Sequence, residues 1–210
     1  DNKENLSESY LEQIEQMKIR RPEKYKQQIL GSWLDKAEGV IFNNWSLGEF
    51  KQVGTSVWGQ DYGFASDENT LVETNIDTSN KIIYLKECFY LKALTTSQIA
   101  ELNSRHAKGG LIIGDSAEPR LLHELKAKGC NVRASIKGQG SITYGISLLQ
   151  DYDIVVSPDS INLIKELNNY RWLEKKSKTP IDAWNHIIDA VRYAVGFQLQ
   201  NPNRGRYAVS

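Results

Sequence analysis

The stretch that decides the fold is VGTSVWGQDYGFASDENTLVETNIDTSNKIIYLKECFYL, at residues 53–91. Three runs rich in β-branched and aromatic residues follow one another in it, at 53–63, 70–76 and 81–91. The first run ends in a Gly-flanked turn, and the turn-forming DTSN at 77–80 joins the second to the third. The stretch therefore predicts three leading strands that pair as antiparallel hairpins.

After this stretch, helical and strand patterns alternate. Predicted helices lie at 95–110, 117–129, 141–150, 160–170 and 181–197, and short apolar strands lie between them at 111–115, 131–135 and 153–157. Hairpins followed by crossovers imply a mixed sheet, antiparallel on one side and parallel on the other, with helices on both faces. We therefore predict an α/β fold.

The chain divides into three parts along its length. Residues 1–48 begin as a charged, helical arm, 49–200 carry the strands and helices of the main body, and 201–210 form a short tail. We expect the aromatic anchors within 31–45 to pack the arm onto the body.

Composition excludes several classes of protein. The 210 residues are 40% apolar and 25% charged, which is enough to bury a core. Lys and Arg total 26, as do Asp and Glu, so any nucleic-acid footprint has to be local. No run approaches the roughly 18 apolar residues of a membrane span, so we expect no membrane partner. Cys88 and Cys130 form no CxxC pair and predict no disulfide framework, which fits an intracellular protein.

Two aspartates follow predicted strands. Asp61 ends the first strand, and Asp115 ends the apolar LIIGD strand. Ligand sites in α/β sheets lie at the carboxyl ends of parallel strands. Each aspartate also fits a simple turn, and Asp115 fits a cap for the helix that begins near Ala117.

The last predicted helix carries a second acidic group. Asp182, His186 and Asp189 fall at i, i+4 and i+7 and so share one face. Asp182 also fits a capping box in Thr179-Pro180-Ile181-Asp182, and His186 fits an ordinary surface or core histidine. Asp189 is mid-helix, where Asp has poor propensity, and a bound cation is the simplest reason for it.

Together, Asp61, Asp115 and Asp189 predict a metal site. Hard carboxylate oxygens suit Mg²⁺ or Mn²⁺, and three of them brought together without a cation repel one another. A two-metal site for phosphoryl transfer is the most natural reading. We expect loss of Asp115 or Asp189 to abolish activity while leaving the cation-free fold intact or more stable.

Four segments resemble the C-terminal nuclease domain of the large terminase subunit of tailed bacteriophages and prophages. They are QDYGFASDENTLV at 60–72, LIIGDSAEPRLLHELKAKG at 111–129, IKGQGSITYGISLL at 136–149 and TPIDAWNHIIDAVRYA at 179–194. The arm segment at 23–42 is similar to the link between the terminase motor and its nuclease. The resemblance implies an RNase H-like fold with three antiparallel leading strands.

The resemblance also implies roles for residues. Asp61, Asp115 and Asp189 are then ligands of two divalent cations, Mg²⁺ or Mn²⁺, with His186 beside them as a further catalytic residue. Residues in supporting or DNA-contacting positions are Asp67, Asp182, Lys137, Lys175, Lys176 and Lys178. The alternative for the four lysines is a solvated loop.

The implied function is a metal-dependent DNA endonuclease that cuts concatemeric double-stranded DNA during viral packaging, with little sequence specificity. The implied partners are double-stranded DNA, an ATPase motor domain of the same protein, the portal and the small terminase subunit, in the host bacterial cytoplasm. The sequence has no GxxxxGK[ST] motif, so we expect no motor in this chain. The alternatives are another RNase H-like nuclease of the resolvase type and a non-catalytic docking domain.

Overall fold

The computed structural model describes residues 38–63, 67–174 and 179–200. Within these ranges the strands are β1 (Trp45–Leu47), β2 (Val57–Asp61), β3 (Glu68–Asp77), β4 (Ile82–Lys92), β5 (Ile112–Gly114), β6 (Val132–Ala134) and β7 (Asp153–Val156). The helices are α1 (Thr96–Ala107), α2 (Pro119–Ala127), α3 (Ser141–Gln150), α4 (Ile161–Asn169) and α5 (His186–Gln200). None of these helices has the length and apolarity needed to cross a membrane.

The seven strands form one mixed sheet in the order β1-β7-β4-β3-β2-β5-β6. Strand β3 is antiparallel to its neighbours β2 and β4, and the remaining pairs are parallel. The predicted mixed α/β sheet is thus confirmed. One edge of the sheet collects the carboxyl ends of β2 and β5 together with the amino end of β3, because β3 runs the opposite way.

Helices cover both faces of the sheet. Ile99 of α1 and Leu125 of α2 pack on the face that carries Leu71 of β3. Helices α3, α4 and α5 pack on the other face, against Val72 and Ile83. Leu71 and Val72 are adjacent residues buried on opposite faces, as the pleat of a central strand requires.

Local chemistry explains the predicted turns and caps. The Thr95 side chain accepts from the Gln98 amide, and the Gln98 side chain accepts from the Thr95 amide, which makes the capping box of α1. Between β3 and β4, the Asp77 carboxylate accepts from the amides of Ser79 and Asn80 at 3.1 and 3.0 Å. These bonds fix the hairpin register.

Residues ahead of the predicted boundary between 48 and 49 pack with the sheet and its helices. Strand β1 pairs in parallel with β7, with Trp45 opposite Ile154. Phe42 is fully buried and stacks on Tyr170 with ring centroids 6.3 Å apart. A three-residue edge strand has too few residues to show a strand period, so the sequence pattern did not reveal it. Residues 1–37 of the predicted arm and 201–210 of the tail lie outside the described ranges.

The last helix begins at His186 instead of 181. Pro180 instead forms a bridge with Trp172. Trp184 has a left-handed backbone with φ of 58°, which no α-helix accommodates. The proposed capping box at Thr179–Asp182 is therefore wrong, and Asp182 is an exposed residue outside the helix.

Candidate functional site

Two of the predicted acids meet at the edge of the sheet. Asp61 is the last residue of β2, and Asp115 directly follows β5, its parallel neighbour. The Asp115 amide donates to the Gln60 carbonyl at 3.2 Å, which extends the ladder by one residue. The Asp115 carboxylate accepts from the Ala117 amide at 2.7 Å. This is a turn, because α2 begins only at Pro119 and has no side-chain cap.

The third acid is brought to this edge by the close approach of α5 to β2. A side chain at Gly59 would collide with the carbonyl group of Ala190, so glycine lets the helix rest directly on the strand. Asp189 lies in the first turn of α5. The negative charge of Asp61 acts on Asp189, and that of Asp115 acts on Asp61. The three carboxylates therefore form one electrostatic cluster, which we call the acidic cluster.

Burial shifts the pKa of two acids of this cluster, Asp61 and Asp189. Loss of solvent raises the pKa of both Asp61 and Asp189 above the ordinary aspartate value. The neighbouring carboxylates raise these pKa values further. His186 opposes the shift at Asp61, and Arg192 opposes it at Asp189. The positive charge of Lys137 lowers the pKa of both aspartates.

Each acid of the cluster has its own basic partner. Lys137 Nζ lies 2.5 Å from Asp115 Oδ1. His186 Nδ1 lies 3.3 Å from Asp61 Oδ2. Arg192 donates to Asp189 Oδ1 through Nη2 at 2.6 Å and Nε at 3.1 Å. The three carboxylates are thus turned toward three separate cations.

A fourth acid, Glu68, belongs to the site and was missed by sequence reasoning. Glu68 begins β3, and its Oε2 lies 3.2 Å from His186 Nε2. His186 therefore bridges Asp61 and Glu68 through its two ring nitrogens. The reversed direction of β3 brings Glu68 to this edge, and the spacing of residues along the chain gives no sign of it.

The two carboxylates make His186 strongly basic. Its hydrogen bond to Asp61 is the largest cause, and it raises the pKa of His186 to about 9 against the opposing effect of burial. The charges of Asp61, Glu166 and Glu68 add to the increase. His186 is therefore an imidazolium at neutral pH in the cation-free protein.

This raised pKa predicts a pH-dependent stability. A histidine whose folded pKa is raised stabilises the fold below its unfolded pKa of about 6.5, and that contribution is lost as the pH rises through about 9. Since His186 is one-third exposed, we expect a loss of roughly 1–2 kcal/mol in the free energy of unfolding. Urea denaturation in EDTA from pH 6 to pH 9 measures it, and His186→Gln should remove this part of the pH dependence. An unchanged pH profile in His186→Gln would contradict the assignment.

A buried carboxylate of α4, Glu166, holds the start of α5. Its Oε2 accepts from the amides of Ile187 and Ile188 at 3.0 Å each, and its Oε1 accepts from the Tyr90 hydroxyl at 3.0 Å. Burial raises the pKa of Glu166 to about 7, although the three hydrogen bonds oppose the increase. Sequence reasoning also missed this residue, since KEL within a predicted helix is typical of a solvated face.

Loss of this cap has a measurable cost. We expect Glu166→Ala to lower the free energy of unfolding by about 2–4 kcal/mol, because two helix amides and the Tyr90 hydroxyl lose a buried acceptor and a cavity remains. Glu166→Gln keeps an acceptor at the same place and should lose less than half as much. Equal losses in the two variants, measured by urea denaturation, would show that the acceptor is not what matters.

The remaining predicted residues lie outside these contacts. Asp67 is an exposed residue directly before β3, and Asp182 is an exposed residue before α5. Lys175, Lys176 and Lys178 lie outside the described residues. Of the predicted lysines, Lys137 is the one that the structure brings to the acidic cluster.

The acidic cluster fits a divalent cation by its chemistry. Asp61, Asp115 and Asp189 supply hard carboxylate oxygens at one edge, and the Lys137 ammonium stands in for a positive ion among them. The Tyr62 hydroxyl, buried against Gly114, has no hydrogen-bond partner within the described ranges. No three His, Cys, Asp or Glu side chains of those ranges surround a common point, since each acid faces its own basic partner. Binding of an ion therefore requires these side chains to turn.

A mixed sheet covered by helices, with acids at the ends of β2 and β5, is an RNase H-like nuclease architecture. The family model described as the terminase RNase H-like domain matches residues 61–196. The chain belongs to the terminase RNase H-like domain family.

Known relatives agree with this assignment. The large terminase subunit of Bacillus phage SPP1 is 30% identical over 206 residues, which cover 90% of this chain and 48% of that protein. The large terminase subunit of phage PBSX in Bacillus subtilis strain 168 is 27% identical over 143 residues, or 65% of this chain and 33% of that protein. This chain thus spans about half or less of the length of these relatives.

A solved structure gives the same fold. The crystal structure of the SPP1 large terminase nuclease domain, with bound Mn, matches with a TM-score of 0.68 and 27% identity. The match covers 76% of this chain and 99% of that chain. The resemblance to a phage terminase nuclease domain is confirmed, and so is the RNase H-like fold.

Proposed function

We propose that this chain is a metal-dependent endonuclease domain that hydrolyses phosphodiester bonds of double-stranded DNA during viral genome packaging. The observation that carries the proposal is the acidic cluster at the ends of β2 and β5 and the first turn of α5. The Mn bound to the related SPP1 nuclease domain supports the choice of cation.

Asp61, Asp115 and Asp189 would hold two Mg²⁺ or Mn²⁺ ions. Such ions activate water for attack on a phosphodiester and stabilise the charge of the leaving oxygen. Burial is the main cause of the raised pKa of Asp61 and Asp189, and ion binding would relieve the carboxylate repulsion that adds to it. The proposal thus accounts for buried acids that, without a bound ion, lower the stability of the fold.

Two basic residues take supporting roles in the proposal. His186, held between Asp61 and Glu68, orients the Asp61 carboxylate. Lys137 is 40% exposed, so its ammonium can leave Asp115 and contact a phosphate of the bound strand. Contacts to phosphate carry no sequence information, which fits cutting with little sequence preference. Lys175, Lys176 and Lys178 are further proposed phosphate contacts by their charge alone.

The rest of the packaging protein enters as part of the proposal. Residues 1–48 would include the link to an ATPase motor domain of the same protein, and 201–210 would be a tail. The relatives are large terminase subunits, which suggests the motor, the portal and the small terminase subunit as partners in the host bacterial cytoplasm.

Cleavage of supercoiled plasmid by the purified chain tests the proposed function. Nicking and linearisation in Mn²⁺ or Mg²⁺, but not in EDTA, is the expected result. Faster cutting of a four-way junction or an RNA–DNA hybrid than of duplex DNA would favour another RNase H-like nuclease. If the folded chain binds no Mn²⁺ by calorimetry and cuts none of these substrates, the alternative of a non-catalytic docking domain is favoured.

A further inference from the structure

A groove with a cavity of about 170 Å³ lies beside the acidic cluster, between α3 and α5. Asp189 and Lys137 line it, and from there it continues along Tyr144 of α3 and Gly196 of α5. We call it the side groove. Its volume is below the range of roughly 300–1,000 Å³ that holds a drug-sized ligand. It has room for one ring or sugar, and a folded peptide segment would not enter it.

The walls of the side groove expose apolar surface. Ile136, Ile142 and Tyr144 are 73%, 45% and 51% exposed, and all three line the groove. Single exposed apolar residues are common on any protein, but a group of them around a concavity marks a binding surface. Phosphate groups would gain little from these walls, whereas the faces of sugars and bases pack well on aromatic and aliphatic side chains.

The position of the side groove selects its occupant. Asp189 belongs to both the groove and the acidic cluster, and Lys137 lines the groove and pairs with Asp115. A protein partner seated here would therefore cover the acids that have to reach the substrate. If a phosphate of a DNA strand lies at the acidic cluster, the nucleoside attached to that phosphate lies directly beside the cluster. The positive charge of Lys137, which lines the groove, also complements the phosphate backbone of the strand.

We infer that the side groove binds the nucleoside unit next to the phosphate that is cut, with its sugar against Tyr144 and Ile142. The inference rests on the proposed nuclease function. It adds a contact that positions the substrate and that lies apart from the metal-binding acids.

Gly196 offers a direct test. A Cβ added at Gly196 would meet no atom within 4 Å, and Gly196 lines the groove, so we expect the side chain of Gly196→Leu to occupy the groove. Gly196→Ala is the matched control, since it makes the same gain in helix propensity but leaves the groove open. We expect Gly196→Leu to raise the KM for plasmid roughly tenfold, as loss of one stacking contact does, with Mn²⁺ affinity by calorimetry unchanged.

Tyr144 gives a second, independent variant. Its side chain is half exposed, so Tyr144→Ala should fold, and we expect it to raise KM as Gly196→Leu does. Tyr144→Phe keeps the ring, so its KM should lie well below that of Tyr144→Ala. The inference is overturned if Tyr144→Ala and Gly196→Leu both have the same KM for plasmid as Gly196→Ala. If they cut normally alone but fail in a reconstituted packaging reaction, the groove belongs to a protein partner.

Binding without cleavage separates this inference from the proposed function. Fluorescence anisotropy with a short labelled duplex, in an Asp61→Asn background, compares the groove variants when no cut is made. Weaker binding by Gly196→Leu than by Gly196→Ala supports the groove contact even if the wild-type chain fails to cut. Equal binding, or no binding by any variant, overturns it.

Discussion

Asp115→Asn is expected to lower the rate of plasmid cleavage by at least about a thousandfold. Removing one carboxylate from the acidic cluster removes several kcal/mol of metal-dependent stabilisation of the transition state, and about 4 kcal/mol corresponds to a thousandfold in rate. The asparagine oxygen can still accept from the Ala117 amide. The lost ion pair is with Lys137, which is 40% exposed, so the free energy of unfolding should change by less than about 1 kcal/mol.

The measurement is the initial rate of plasmid cleavage in Mn²⁺, beside urea denaturation in EDTA. Glu101→Gln is a suitable control because it removes an exposed carboxylate, paired with Arg105 at 3.0 Å on α1, on the other face of the sheet. We expect this control to cut at the wild-type rate. Wild-type cutting by Asp115→Asn would show that the acidic cluster is not the active site.

Asp189→Ala is expected to lower the free energy of unfolding by about 3–5 kcal/mol, in addition to abolishing cleavage. Arg192 is only 7% exposed, and its Nη2 and Nε both donate to Asp189. Removal of the carboxylate leaves the buried guanidinium without its counter-charge. Removing one partner of a buried ion pair lowers the stability of a protein more than replacing both partners does. The sequence-based expectation of an intact or more stable fold therefore changes for Asp189 once Arg192 is seen beside it.

A double-mutant cycle tests this cause. Arg192→Met combined with Asp189→Ala removes both charges and keeps the apolar length of the side chain against Gly145. The double variant should recover most of the stability lost in Asp189→Ala, while cleavage stays abolished. If the free energies of unfolding lost in the two single variants, measured by urea denaturation, simply add in the double variant, the ion pair is not the cause of the loss in Asp189→Ala.

The order of the strands and helices from β2 onward followed from sequence because the relevant patterns are local, whereas the short strand β1 was missed. Runs rich in β-branched and aromatic residues predicted the hairpins at β2–β4, and the predicted helices at 95–110 and 117–129 end within three residues of the ends of α1 and α2. Asp61 and Asp115 were selected because each follows a predicted strand, and ligand sites in α/β sheets lie at the carboxyl ends of parallel strands. The structure adds that the two strands, β2 and β5, are parallel neighbours. Asp189 was selected because a helix that begins at 181 would place it mid-helix. In the structure it lies in the first turn of α5, where an aspartate is favoured, and it pairs with Arg192 three residues on, so the reason given for selecting it is wrong.

The partners of these acids were not predictable, because they come from distant parts of the chain. Glu68 reaches His186 only through the reversed direction of β3, and Glu166 caps α5 from a different helix. The start of α5 was misplaced because Thr179–Asp182 matches a capping motif closely. The left-handed backbone at Trp184 decides the true start, and tryptophan gives no signal for such a conformation.

Because the backbone at Gly59 lies directly against the Ala190 carbonyl, two backbone segments set the distance between Asp61 and Asp189. Core side chains elsewhere can therefore be substituted without moving Asp61 relative to Asp189. A library that exchanges Ile188, Val191 and Val195 for other apolar residues should scatter in melting temperature yet keep nearly constant Mn²⁺ affinity. Such insulation would allow a sequence to change extensively around a site whose dimensions stay fixed.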